Sequence, residues 1–341
     1  MITDPRLFVG RHDELQFLIH RMTLIQPISV NIVGERRIGK SSLLYRFYQI
    51  WSQWVDDPQK YIVIFHSLQD GRYRREWEFY TRISQELKTK LPPHQCPQED
   101  VNDHAEFAEL IDCLGDMGVL PVLCLDEFDA LFEPEAQFYD AFFDNLRSLM
   151  DRGRLMLILA SHEDLVVYKR RKRLTSSFFN VGQKIRLDYF SEEEALDLVR
   201  IPASTVPGAQ AALSIDEQQT ALEWGKRHPY LLQLAATYLC RARQEGKTLE
   251  WANQMFETHA KGLPHPHYWR KHLFPLFTLP FRALWQLPLF VGKLASWLGL
   301  RIDDMLKWLA GAFLLLVAFL SLTGRIDQDQ IMRLIEKLLG D

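Results

Sequence analysis

Short apolar runs alternate with helix-length amphipathic stretches over the first 260 residues. The runs Ile28 to Val33, Tyr61 to Ser67, Leu120 to Leu125, Arg154 to Ala160 and the shorter Lys184 to Leu187 read as strands. Periodic stretches lie around and between them. Leu7 to Met22 is a lead-in and a helix with Leu15, Leu18 and Ile19 inward, and Ser41 to Trp54 carries Leu43, Leu44, Phe47 and Ile50 on one face. Glu76 to Lys90, Asp103 to Met117 and Phe138 to Met150 follow the same rule. Ser191 with Glu194 forms a capping box, and the helix it opens stops before Pro202. After a loop around Pro207 and Gly208 come only helices: Asp216 to Trp224, Tyr230 to Arg243 and Leu249 to His259, a small helical lid. Strands alternating with helices predict a mostly parallel α/β sheet that binds ligands at the carboxyl ends of its strands.

The pattern changes beyond residue 262. His265 to Leu300 is rich in proline and aromatic residues, and Trp308 to Gly324 is a run of 17 residues without a charge. That length is at the lower edge of the ~17–25 residues needed to span hydrocarbon. The run has no polar stripe, only Ser321 and Thr323 near one end. A transmembrane anchor is expected, with an interfacial or hairpin arrangement and a buried helix as the other two readings. The domain reading is 1–205 for an α/β domain, 206–262 for the lid, 263–307 for a juxtamembrane segment, 308–324 for the membrane helix and 325–341 for an amphipathic tail.

The strongest chemical signal sits where the first strand ends. Gly34, Glu35, Arg36, Arg37, Ile38, Gly39, Lys40 and Ser41 match G-x-x-x-x-G-K-[ST] without a mismatch, between an apolar strand and a helix. The glycines let the backbone curl with its N–H groups inward, and the following helix N-terminus favours an anion. Lys40 reaches β- and γ-phosphates as a point charge, and the Ser41 hydroxyl suits Mg²⁺. Ser42 completes the loop's nucleotide contacts. The third strand runs into Asp126 and Glu127, two acids at the carboxyl end of an apolar run. Asp126 is expected to hold Mg²⁺ and Glu127 to act as general base toward water, with His66 and His162 next in line. Ser161 and His162, ending the fourth strand, are candidates beside the γ-phosphate, although a strand-end cap also explains them.

Composition narrows the remaining classes. The formal net charge is −4, so any polyanion binding requires a local patch. The densest basic run is Tyr168 to Leu174, read as a solvated helix face, as a trans-acting arginine finger with Arg154 as the alternative, or as a nucleic-acid or membrane patch. The 4 cysteines, Cys96, Cys113, Cys124 and Cys240, form no C-x-x-C pair, which suits a reducing compartment. The N-terminus lacks a basic start followed by an apolar core, so no signal peptide is expected and the first 260 residues are expected in the cytoplasm.

In combination, FVGR (Phe8 to Arg11) with Glu14, GERRIGKS, LCLDEFD, LILAS, IRLDYFSEEEA and HPYLLQ resemble the STAND branch of AAA+-like P-loop ATPases, close to the archaeal-type ATPases, over about Phe8 to Ala260. The resemblance implies a P-loop NTPase fold with a parallel five-stranded sheet in the order 5-1-4-3-2, ATP with Mg²⁺ as ligands, and homo-oligomers in the ATP state. It also implies that Val9, Gly10 and Arg11 line the adenine side and Pro229 the lid contact. Two functions follow as expectations. One is a membrane-attached ATPase switch that assembles or signals. The other is a soluble AAA+-type ATPase that positions a partner on DNA.

Overall fold

The computed structural model describes residues 1–91, 100–180, 182–203 and 210–261. Its elements, in chain order, are α1 (His12–Met22), β1 (Val30–Val33), α2 (Lys40–Ile50), β2 (Tyr61–Ser67), α3 (Glu76–Thr89), α4 (His104–Asp116) and β3 (Leu120–Asp126). There follow α5 (Asp140–Asp151), β4 (Met156–Ser161), α6 (Leu165–Lys172), β5 (Gln183–Arg186), α7 (Glu192–Val199), α8 (Ile215–Gly225), α9 (Pro229–Glu245) and α10 (Leu249–Ala260). Within the described residues the expected strands and helices are present, with ends shifted by a few residues. Asp126 and Ser161 belong to the ends of β3 and β4 rather than to the loops after them.

The five strands form one sheet in the order β2-β3-β4-β1-β5, which is the expected 5-1-4-3-2 read from the other edge. The strand pairings are parallel, so all carboxyl ends share one edge. Strand geometry sends alternate side chains to opposite faces. Ile62, Ile64, Leu123, Leu125, Leu157 and Leu159 join a core with α3, α4 and α5. Val63, Val122, Cys124, Ile158, Val30 and Ile32 join a second core with α1 and α2. Burial on both faces explains why these strands read as continuous apolar runs.

The first core is packed with rings. Phe142, fully buried, has its centroid 5.0 Å from that of Phe79, 4.8 Å from Phe138 and 5.2 Å from Phe143. The third core is helical, and it includes Phe190, Ala195, Leu198 and Val199 together with residues of α8, α9 and α10. Packing therefore starts the helical part near Phe190, ahead of the 206 suggested by the Pro207–Gly208 loop. The capping box of α7 exists as expected, with the Ser191 hydroxyl accepting from the Glu194 amide.

Among the described residues no helix is long and apolar enough to cross a membrane. The expected anchor at 308–324 and its flanks, 263–307 and 325–341, lie outside the described residues. Phe142→Ala is expected to cost about 3–5 kcal/mol of stability, because it empties a fully enclosed ring site. Urea denaturation of the variant against the parent checks it.

Candidate functional site

A cavity of about 820 Å³ lies over the carboxyl edge of the sheet. The phosphate loop forms its floor. Gly39 adopts φ +106° at the head of α2, a left-handed geometry that opens into free space and that a side chain would strain. Lys40 is 8% exposed, and its Nζ donates to the carbonyls of Gly34 and Glu35, both at 2.8 Å. Burial lowers the Lys40 ammonium below the usual lysine range, while the Asp129, Asp126 and Glu127 carboxylates act in the opposite sense. His162 Nδ1 stands 3.3 Å from the same ammonium. Burial, with the Lys40 charge next, keeps His162 more neutral than a free histidine.

The acids behave as a pair with separate tasks. The Asp126 carboxylate accepts from the Ser41 hydroxyl and from the Glu127 amide, each at 3.0 Å. Burial raises the Asp126 carboxyl, although those two hydrogen bonds oppose it. Glu127 sits in a left-handed turn, φ +53°, which re-aims the chain directly after β3. Its carboxylate accepts from the Ser67 hydroxyl at 2.9 Å, and the Gln69 amide, turned so that its nitrogen faces the carboxylate, donates to Oε2 at 3.1 Å. Asp129 accepts from the His162 amide at 3.3 Å.

The N-terminal box closes another side. Phe8, Val9 and Arg11 line the cavity. Gly10 takes φ +69°, and a Cβ there would lie 2.4 Å from Glu194 Oε1, so this glycine is a close-packing position, not a wall of the cavity. The Arg11 amide donates to Glu194 Oε1 at 2.7 Å, and its guanidinium donates to Glu14 at 2.9 Å while covering the Phe190 ring. Arg11 therefore fastens α1 to the start of α7. From the lid come Pro229, Tyr230 and Gln233, and the Arg37 guanidinium lies over the Tyr230 ring at 4.1 Å.

Several expected positions fall elsewhere. Ser161 is fully buried, and its hydroxyl serves Glu163 O at 2.8 Å and Asn31 Oδ1 at 3.2 Å; His162, one residue on, faces the cavity instead. Ser42 borders the cavity, but its hydroxyl accepts the Ile2 amide at 3.0 Å. His66 pairs with Glu86 at 2.7 Å and with the Tyr73 hydroxyl, and it is not among the lining residues. Arg154 precedes β4 at the opposite edge of the sheet, where it pairs with Asp116 at 2.8 Å. In the basic run, Arg171 pairs with Glu163 at 2.6 Å and Lys172 donates to Glu133 O, while Arg170 and Arg173 are exposed. Ser67 and Gln69 carry no motif, and only their position at and just past the end of β2 could have marked them; Asp129, Tyr230 and Gln233 stand inside LCLDEFD and HPYLLQ but are not singled out there.

A glycine-turned loop at a helix N-terminus, a lysine on its floor and a strand-end Asp-Glu pair beside it define a P-loop NTPase site. A family model described as AAA-like domain matches residues 4–276, and the chain belongs to that family. Among solved structures it is similar to a Walker-type ATPase of Pyrococcus abyssi, with 16% identity over 89% of either chain and a TM-score of 0.53. It is also similar to the ORC2 protein of Aeropyrum pernix in ADPNP–ADP complexes, with 13% identity, 75% of this chain and 72% of that one covered, and a TM-score of 0.51. At these identities the likeness is one of fold. No curated protein matches the sequence.

His228, the buried N-cap of α9, gives a test in solution. Burial holds its imidazole down to about 4 from an ordinary 6.5, with the Arg11 charge adding to the effect. Between those values only the unfolded chain takes up the proton. This part of the stability is therefore complete above about pH 6.5 and lost as pH falls toward 4, by up to roughly 3 kcal/mol. His228→Asn keeps a capping side chain and should flatten that loss, read as the difference between urea midpoints at pH 7 and pH 5.

Proposed function

We propose that this chain binds and hydrolyses ATP as a regulatory, nucleotide-driven switch of the STAND or archaeal-ATPase kind, assembling with copies of itself when ATP is bound. The observation that carries the reading is the convergence, in one cavity, of the Lys40 ammonium, the Ser41–Asp126 pair and Glu127. The three phosphates occupy the loop, where N–H groups and Lys40 neutralise them. The oxygen donors fit a magnesium ion: a hydroxyl and a buried carboxylate stand together, and burial penalises that carboxylate's charge unless a cation compensates it. Bound there, Mg²⁺ supplies charge neutralisation to the phosphates.

Glu127 takes the proton of the attacking water as that oxygen reaches the γ-phosphorus. Ser67 and Gln69 hold the carboxylate to one side, so they tune how readily it turns to water. Arg170 and Arg173 are exposed, as are Arg171 and Lys172 beside them, and they suit a contact with a neighbouring copy's phosphates.

Lys40→Ala should abolish ATP binding in calorimetry; unchanged affinity would overturn the nucleotide reading. Glu127→Gln should keep ATP affinity and lose turnover by about 100-fold or more, since the amide cannot accept a proton. Full turnover in that variant would move the general base elsewhere.

A second reading concerns location. The uncharged 17-residue run at 308–324 favours attachment to a membrane. Full-length protein should stay in the membrane pellet after alkaline extraction, and a truncation after 262 should be released. Release of both would favour the soluble alternative, an ATPase that positions a partner on DNA.

A further inference from the structure

The phosphate loop carries two arginines, and they are engaged differently from Lys40. Lys40 folds down onto the carbonyls of Gly34 and Glu35. Arg37 takes a left-handed backbone, φ +63°, and lays its guanidinium 4.1 Å from the ring centre of Tyr230. Tyr230 is the second residue of α9, and Gln233 follows on the same side of the helix; both line the cavity with Arg36 and Arg37. Between Pro229 and Cys240, α9 contains no lysine or arginine, so over its first three turns the lid helix offers the cavity no cation of its own. The positive charge at this wall belongs to the loop.

The base of α9 is pinned independently. Lys226 and Arg227 both have positive φ, 44° and 64°. The Arg227 carbonyl accepts the Phe190 amide at 3.0 Å. The buried His228 caps the helix through its side chain. One end of the first turn is thus tied by backbone to the segment before α7. The other end meets the nucleotide domain through a planar guanidinium on a ring. Such a contact is directional and modest in strength, and it suits a joint that holds while allowing sliding.

We propose that the Arg37–Tyr230 stack is the joint that seats the lid on the phosphate loop, so that Arg37 and Tyr230 act as positioning residues for the nucleotide. This rests on the nucleotide reading above. Filling the loop with phosphate moves or steadies Arg37, and the ring carries that change into α9. Tyr230 needs its ring and not its hydroxyl for this task.

The test uses the full chain as wild type, Tyr230→Phe, Tyr230→Leu, Arg37→Ala and the Arg37→Ala/Tyr230→Leu double variant. Magnesium–ATP affinity is read by calorimetry and lid mobility by amide hydrogen exchange over 229–234. Tyr230→Leu should weaken ATP by about 2- to 5-fold and Tyr230→Phe should match wild type. The double variant should be no weaker than the worse single one. Without nucleotide, Arg37→Ala and Tyr230→Leu should each speed exchange in 229–234 and leave 249–260 unchanged. Losses that multiply in the double variant, a Phe variant as weak as the Leu one, or unaltered exchange in 229–234 would each overturn the joint. A wild type that binds no ATP would sink the nucleotide reading alone, since the exchange measurements without nucleotide still decide whether the stack seats the lid.

Discussion

A buried cation and a buried anion share the carboxyl edge of the sheet, and the rest of the fold is arranged so that they can. Lys40 and Asp126 are 8% and 5% exposed, a costly condition for isolated charges. The cost is contained because each has local hydrogen-bond partners: two loop carbonyls for the ammonium, a hydroxyl and an amide for the carboxylate. Parallel strands are what bring these partners together. β1 delivers the loop and β3 delivers the acids to the same edge, with β4 between them. An antiparallel neighbour would have sent one of the two groups to the far side of the sheet.

The same arrangement divides labour among the elements. The strands and the two cores on their faces give rigidity, and the polar groups of the cavity floor lie at the ends of strands or in the segments that follow them. Glu127 shows the economy of this plan. It begins one residue after β3, turns through a left-handed φ, and meets the side chain of Ser67 at the end of β2, the strand paired with β3. Glu127, the Ser41–Asp126 pair and the loop thus stay in register through the sheet ladder and not through flexible connections.

The sequence made the strands, most helices and the phosphate-loop chemistry legible, because each rests on a local pattern. Buried strands show as apolar runs, a cap as Ser191 with Glu194, and the loop as glycines and Lys40 at fixed spacing. Contacts between distant segments left no such trace. Gly10 reads as part of a cavity wall, yet its role follows from the position of Glu194, 184 residues away. Ser161 reads as a candidate beside the γ-phosphate because strand ends face the ligand, but the pleat points it inward to Asn31 and its neighbour outward. The packing of α7 against the helices that follow it left no trace for a related reason. A Pro-Gly loop marks a break in the chain, whereas α7 joins the lid by packing, which a one-dimensional pattern does not encode.

The ring-filled core on the α3–α5 face also has an optical meaning. Phenylalanine and tyrosine supply its aromatic content, and among the described residues tryptophan takes no part in it. Trp224 and Trp251 instead lie in the helical part, beside Phe256 and Tyr238. Trp51 and Trp54 follow α2, and Trp77 begins α3. The strongest absorbers of the described region therefore surround the nucleotide domain's centre without entering it. In a chain ending at 262, which leaves out Trp269, Trp285, Trp297 and Trp308, emission would divide into a signal from the helical part and one from the domain's periphery, an indicator of when those two regions change independently.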